Sequence, residues 1–136
     1  MYRMINVVTG LGVLWLLGTT SVFGQDSLRV GKMVICRQVV DRQPQEIATT
    51  FPDTVKTVFC FTHIEGAREE TSIKHRWFWK DSLLAEVTLP VRSASWRTWS
   101  SKRIVKGWRG DWRVEVTDAL GKNLKTTTFR IEKSGK

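Results

Sequence analysis

The segment at residues 112–122 reads Trp-Arg-Val-Glu-Val-Thr-Asp-Ala-Leu-Gly-Lys, and it decides the fold. Trp112, Val114 and Val116 alternate with polar residues, which is the period-two pattern of a β-strand with one buried and one solvent-facing side. The residues that follow predict a turn in which Gly121 takes a left-handed conformation. The chain then returns as a further strand over residues 124–132.

The chain from residue 33 onward repeats this organisation, with short apolar and β-branched runs between turns and no amphipathic helix. Pro90 predicts that the fourth run lies at a sheet edge or finishes there. An irregular connection between Pro44 and Pro52 carries Phe51, which we expect to close one end of the core. The spacing predicts an all-β fold, an immunoglobulin-like antiparallel β-sandwich of about seven strands, with a small barrel as second choice.

The first 24 residues have the pattern of a signal peptide, because Arg3 precedes an apolar run and small residues lead up to Gln25. An uncleaved anchor to the inner membrane through residues 4–24 is the alternative, since about 20 apolar residues can span a bilayer. Residues 25–32 are predicted to be a short linker, residues 33–132 the β-sandwich domain and residues 133–136 a frayed tail. We therefore expect an exported protein, periplasmic or extracellular.

The charge balance favours anionic partners. The net charge is +9, and it falls to +8 when residues 1–24 are removed. Such a protein is drawn to anionic lipid headgroups, acidic glycans or nucleic acid. Export makes nucleic acid the least favoured of the three, and the sequence says nothing about the oligomeric state.

Cys36 and Cys60 are the two cysteines, and an oxidising compartment favours their pairing as a disulfide. Closing that loop would stabilise the fold by about 3 kcal/mol in the chain-entropy model. The alternative is two buried free thiols that act as small hydrophobic groups.

Tryptophan and basic residues alternate in the second half of the chain, and this pattern has two interpretations. In the structural one, arginines stack on aromatic rings across neighbouring strands, each desolvated contact contributing about 1 to 2 kcal/mol. In the functional one, exposed indoles stack on sugar rings while basic groups pair with carboxylate or phosphate. The residues assigned a structural role are Trp77, Trp96, Trp99, Trp112 and Arg97. Those assigned to binding are Trp108, Lys102, Arg103, Lys106 and Arg109.

Trp108 is the single residue most favoured for ligand contact, because Gly107 and Gly110 on either side place it in a loop. It is therefore expected to be the indole that the core needs least.

Catalytic and metal-binding chemistry are weakly supported. His63 and His75 lie on consecutive predicted strands and could approach each other across a hairpin, but a zinc site needs three or four ligands. Ser100 and Ser101 lie in a strand-like run without the strand-to-helix turn of a nucleophilic serine. We predict no enzyme, no catalytic residue, no metal and no cofactor.

The stretch from Cys60 to Ile131 resembles the bacterial family of domains of unknown function numbered 2914. The matching motifs include Phe61-Thr62-His63-Ile64, His75-Arg76-Trp77, Trp96 to Lys102, Gly110 to Val114 and Asp118 to Gly121 followed by Phe129. The resemblance implies a single exported or membrane-tethered β domain with no established activity.

These observations together predict a non-catalytic binding or interaction module of the bacterial envelope. The expected partner is an anionic envelope glycan or a protein. The alternative is a membrane-surface or membrane-anchored structural domain that rests on anionic lipid.

Overall fold

The computed structural model describes residues 27–135, so the predicted signal peptide at residues 1–24 lies outside the described residues. Within them the fold is all β, in two sheets. No helix of the described part of the chain is long and apolar enough to cross a membrane. The nine strands are β1 (Arg29–Val40), β2 (Gln43–Ile47), β3 (Thr50–Pro52), β4 (Thr57–Glu65), β5 (Thr71–Trp79), β6 (Ser82–Val91), β7 (Ser95–Arg103), β8 (Gly110–Asp118) and β9 (Asn123–Glu132).

One sheet has four strands in the order β2-β1-β4-β7, and the other has five in the order β3-β9-β8-β5-β6. The two sheets enclose one apolar core and form a sandwich. Strand β8 shows why, because Trp112, Val114 and Val116 are buried in the core while Arg113 and Glu115 face outward. Fully burying such a side chain contributes about 1.5 to 3 kcal/mol. The alternation predicted for this strand is confirmed from Trp112 to Val116, whereas Thr117, expected on the polar side, is buried where the register with β9 shifts.

The structure contains two strands more than the seven predicted, within the residues described. The segment between Pro44 and Pro52, predicted to be an irregular connection, contains β2 and β3. Both strands are short and carry proline, so they lack a strong alternating pattern. Phe51 is fully buried against the ring of Phe129, as expected for a residue that closes one end of the core.

The sheet also begins earlier than predicted. Strand β1 starts at Arg29, and Leu28 is part of the core, so much of the segment at 25–32 assigned to a linker is structured. Pairing with β4 explains the difference, because Arg29 lies opposite Glu65 and Val30 lies opposite Ile64. Such long-range pairing leaves little local signal in the sequence.

The turn after β8 has the predicted form. Gly121 has a φ of 88°, and its backbone N–H donates to the carbonyl of Asp118. The carboxylate of Asp118 accepts hydrogen bonds from the backbone N–H groups of Leu120 and Lys122, each at 2.9 Å. Pro90 also lies where it was expected, in the edge strand β6.

The predicted disulfide is wrong, because both cysteines are free and buried. In the β1–β4 register Cys36 lies opposite Phe59, while Cys60 lies opposite Ile35. Successive residues of a strand point to opposite faces, so the two thiols lie on opposite faces of the sheet and cannot be bridged. Cys60 joins the core, and burial raises the pKa of both thiols.

Candidate functional site

Three tryptophans form a cluster at the end of the sandwich where β5 finishes and β8 begins. The ring of Trp108 lies 6.3 Å from that of Trp79 and 5.8 Å from that of Trp112, the second pair being edge-to-face. Aromatic pairs at these separations contribute about 0.5 to 1.5 kcal/mol beyond area burial. This tryptophan cluster therefore holds Trp108 in a defined orientation.

The cluster also fixes the loop between β7 and β8. The indole N–H of Trp79 donates to the carbonyl of Arg109, and that of Trp112 donates to the carbonyl of Trp108, each at 2.9 Å. Gly107 and Gly110 have φ values of 99° and 103°, which glycine adopts without steric cost. These conformations let the loop turn so that its carbonyls meet the two indole donors. Trp108 is half-buried and packs against the core, so the core uses it more than the sequence analysis expected.

Two of the predicted binding residues are already engaged. The ammonium of Lys102 lies 4.8 Å from the centre of the Trp108 ring, in cation–π geometry. The guanidinium of Arg109 pairs with the carboxylate of Asp53, with Nε and Nη2 each 2.8 Å from Oδ2. The backbone N–H of Ser134, and after it Arg109, lowers the pKa of Asp53. Arg109 is therefore a structural cation that joins the loop to the chain before β4.

The remaining predicted cations lie in an adjacent groove of about 550 Å³, which we call the basic groove. Arg103 and Lys106 line it together with Lys56, and none of the three has an ion pair within residues 27–135. Asp53, the acidic residue of the groove, is occupied by Arg109. Positive charge in this groove is therefore uncompensated by the described residues.

Lys56 was not singled out by the sequence. It precedes β4, nearly fifty residues before Arg103, and the carbonyl of Lys56 accepts from the backbone N–H of Ile104 at 2.9 Å. What places Lys56 beside Arg103 is the pairing of β4 with β7, in which Thr57 lies opposite Arg103. This pairing is a feature of the tertiary structure. The sequence alone could not have identified it.

The residues predicted to be structural divide into three groups. Trp77 and Trp112 are buried in the core, and Trp96 packs partly against it. Trp99 instead lies on the outer face of the four-stranded sheet, where its ring stacks on Phe61 with the centres 6.2 Å apart. Arg97 is exposed and has no ion pair or aromatic contact with another described residue.

A stacked arginine arrangement exists, but on phenylalanine rather than tryptophan. The guanidinium carbons of Arg76 and Arg113 lie 5.2 and 4.0 Å from the ring centre of Phe78, on the outer face of the five-stranded sheet. These arginines are also paired with acids, Arg76 with Glu86 and Glu115, and Arg113 with Asp81 and Glu115.

A larger cleft of about 760 Å³ lies on that same face, and both of its carboxylates are paired with arginines, which leaves Lys80, whose ammonium lies over the Trp79 ring, as its one cation without an ion pair among the described residues. Arg113 pairs with Asp81, and Arg130 pairs with Asp111, all four residues lining the cleft. A ligand anion there would have to compete with existing carboxylates. The basic groove is therefore the better candidate for an anion.

The two histidines are not hairpin neighbours, which corrects the expectation from the sequence. His63 is on β4 in the four-stranded sheet, while His75 is on β5 in the five-stranded sheet. His63 contacts the hydroxyl of Ser95 at 2.7 Å near the surface, and His75 is fully buried. The described residues contain no group of three or more histidine, cysteine or acidic side chains that could hold a metal ion.

Ser100 and Ser101 also differ in environment. Ser100 is buried with its hydroxyl 2.7 Å from Nδ1 of His75, whereas Ser101 is exposed. Trp77 donates its indole N–H to the same hydroxyl at 3.0 Å. Both members of the serine–histidine pair lie inside the core, where a substrate would have to displace packed side chains.

Comparison with known proteins identifies a family for the second half of the chain. Residues 70–131 match the model of the family described as Protein of unknown function (DUF2914), which agrees with the resemblance inferred from the motifs within that range. The matched region runs from the start of β5 to the end of β9 and contains the tryptophan cluster. No curated protein matches the sequence.

Proposed function

We propose that this DUF2914-containing chain is a non-catalytic, exported binding module of the bacterial envelope, and that it takes an anionic glycan in the basic groove. The observation that carries the proposal is the set of uncompensated cations, Lys56, Arg103 and Lys106, gathered in one groove from two distant segments. Carboxylates of a uronic-acid glycan suit such a groove, because charge-assisted hydrogen bonds are stronger than neutral ones.

The strand order supports an immunoglobulin-like assignment for this module. In the four-stranded sheet, the order β1-β4-β7 corresponds to strands A, B and E of that fold, and in the five-stranded sheet β9-β8-β5-β6 corresponds to G, F, C and C′. In immunoglobulin-like domains the loops cluster at the two ends of the sandwich. The basic groove is formed at one such end by the segments before β4 and after β7.

The neighbouring half-buried indole supports a sugar ligand. Trp108 is held by the tryptophan cluster at the end of β7, and Lys102 of that strand contacts its ring. An amphipathic ring held in place in this way is suited to stacking on a sugar ring. Trp108→Ala is nevertheless a poor test, because Trp108 also packs against the core and its removal would lower stability.

A cleaner experiment removes charge from the groove. The full chain is titrated calorimetrically with an oligogalacturonate and with its uncharged methyl ester. A variant with Arg103→Gln and Lys106→Gln is compared with a control that carries Lys122→Gln and Lys125→Gln. The control removes the same charge near the turn at the opposite end of β8 and β9.

We expect the groove variant to bind the oligogalacturonate about tenfold more weakly, since exposed ion pairs contribute about 0.2 to 1 kcal/mol each. The control should bind like the wild-type chain, and the uncharged ester should not bind. Equal weakening by both variants would show attraction by net charge alone and would remove the groove assignment. Binding to vesicles of anionic lipid without binding to the glycan would establish the membrane-surface alternative instead.

A further inference from the structure

The four edge strands of the two sheets are protected unequally. Strands β2 and β7 are the edges of the four-stranded sheet, and β3 and β6 are the edges of the five-stranded sheet. The chain has three prolines, and each lies in a different edge strand. Proline removes a backbone donor and so discourages the addition of a further strand. The protected strands are β2 with Pro44, β3 with Pro52 and β6 with Pro90.

Strand β7 is the edge without proline, and its geometry is regular. Nine consecutive residue pairs join it to β4, from Thr57 opposite Arg103 to Glu65 opposite Ser95, without a bulge. Within residues 27–135, β7 pairs with β4 alone, and no backbone–backbone hydrogen bond connects its other side to a loop. At its two ends, the carbonyls of Ser95 and Arg103 accept from the side chains of Ser93 and Lys102. Every second residue of such a strand directs its N–H and C=O groups outward, so this edge can accept another strand.

The side chains of β7 make this edge selective. The strand contains Arg97, Lys102 and Arg103 and no acidic residue. Charged residues at an edge discourage pairing with a like strand, and like charges placed opposite each other are destabilising. Unlike proline, however, these cations leave the backbone donors in place. They oppose a second copy of β7 while remaining compatible with an acidic strand.

The two arginines of β7 are far enough apart to make two separate contacts with a docked strand. Arg97 and Arg103 share the outer face of β7 and are six residues apart, which corresponds to about 20 Å along a strand. Trp99 lies between them on that face and stacks on Phe61. The face therefore presents cation, aromatic ring and cation in sequence.

A second arginine reaches the amino-terminal end of β7 from a distant part of the chain. Arg42, at the turn between β1 and β2, lines a pocket of about 250 Å³ together with Arg97. Ser93 and Ser95 also line this pocket. The Ser93 hydroxyl donates to the carbonyl of Ser95 at 2.8 Å, and the Ser95 hydroxyl contacts His63. The donors left for a ligand are therefore the two guanidinium groups, which suit a carboxylate.

We propose that β7 is a docking edge at which an extended, acidic segment of a partner protein adds as the fifth strand of the four-stranded sheet. Its backbone pairs with β7, one carboxylate enters the pocket of Arg42 and Arg97, and a second meets Arg103. This surface shares Arg103 with the basic groove, but pairing with β7 and the contact with Arg42 and Arg97 do not require glycan binding there.

The test uses two synthetic nine-residue peptides and the full chain. Both peptides alternate Thr with Val, and at two same-face positions six residues apart one peptide carries Glu and the other carries Lys. Amide hydrogen exchange of residues 95–103 is followed by NMR with each peptide. The Glu peptide should slow exchange of alternate amides in β7, and the Lys peptide should not.

Three variants define the contacts. Arg42→Gln with Arg97→Gln should weaken binding of the Glu peptide about fivefold to tenfold. Lys56→Gln with Lys106→Gln removes the same charge from the basic groove and should leave peptide affinity within about twofold, which separates the two proposals. Arg97→Glu with Arg103→Glu should invert the preference, so that the Lys peptide protects β7 and the Glu peptide does not.

Protection of β7 by the Glu peptide with this inversion supports the docking edge. Absence of protection by either peptide, or equal protection by both, overturns it. Protection of the β7 amides in the free chain together with a dimeric mass would also overturn it, because a second copy would then occupy the edge.

Discussion

Nδ1 of His75 lies 2.7 Å from the hydroxyl oxygen of Ser100, in the interior where the two sheets face each other. This contact belongs to a buried chain of hydrogen bonds whose directions can be assigned. The hydroxyl of Thr62 donates to the carbonyl of Thr98 at 2.9 Å, so its oxygen must accept from Nε2–H of His75 at 3.1 Å. Nδ1 then accepts from Ser100, whose oxygen accepts from Trp77.

The network joins the sheets with a neutral imidazole at its centre. Thr62 and Ser100 belong to the four-stranded sheet, while His75 and Trp77 belong to the five-stranded sheet. Burial lowers the pKa of His75 to about 4, because a charged imidazole is poorly solvated in the core. Protonation would also remove the acceptor that Ser100 needs.

Stability should therefore fall in weak acid. The pKa of His75 is about 4 when folded, whereas a histidine in an unfolded chain has a pKa of about 6.5. Between these values the unfolded chain binds more protons, so stability is complete above the unfolded pKa and is lost as the pH falls through this window. We expect His75 to account for a loss of about 3 kcal/mol between pH ~7 and pH ~4, measured by urea denaturation.

The control is His75→Gln, which should be less stable at neutral pH and should show a flatter dependence through the same window. Carboxylates affect stability at lower pH than His75 does. The pKa of Asp53 is lowered chiefly by the backbone N–H of Ser134, and that of Glu86 by Lys74, so their contributions are lost as the pH falls below about 4. Equal slopes for the two proteins between pH ~6.5 and pH ~5 would contradict the role of His75.

Two adjacent serines provide a matched pair of substitutions. Ser100→Ala leaves Nδ1 of His75 without its donor and the indole N–H of Trp77 without its acceptor. Leaving two buried groups unsatisfied should lower the free energy of unfolding by about 2 to 4 kcal/mol. Ser101→Ala, at an exposed position of the same strand, should change it by less than about 0.5 kcal/mol. Chemical denaturation distinguishes them, and similar losses for both would show that the buried network contributes little.

The cysteines should behave as protected free thiols. Cys36 and Cys60 are buried on opposite faces of one sheet, and burial raises both pKa values, so the native chain should react slowly with a thiol reagent. Unfolding in denaturant without reductant should expose both thiols. Intact mass after alkylation then reports two additions. If alkylation of the unfolded chain requires prior reduction, the free-thiol arrangement is wrong.

Local pattern was sufficient for much of the fold. The alternation in residues 112–116 identified the buried and exposed sides of β8, and the turn at Gly121 followed from glycine's tolerance of positive φ. Pro90 indicated an edge strand because it cannot donate to a sheet ladder. These features depend on a residue and its immediate neighbours, which a sequence displays directly.

Pairing between distant strands decided the rest. Around Cys60 both faces of β4 are apolar, with Val58 and Cys60 in the core and Phe61 stacked on Trp99 outside, so periodicity could not assign the faces or exclude the disulfide. The pairing of strands also decided that His63 and His75 lie in different sheets, although their strands are consecutive in the sequence.

The candidate site divides in the same way. The basic and aromatic character of residues 102–109 is written in the sequence, and so is the position of Trp108 between two glycines. Only the tertiary structure pairs Arg109 with Asp53 and places Lys102 on the Trp108 ring. It also brings Lys56 beside Arg103. Sequence specifies which charges exist, whereas the long-range register between strands specifies which of them are neutralised and which remain available to a ligand.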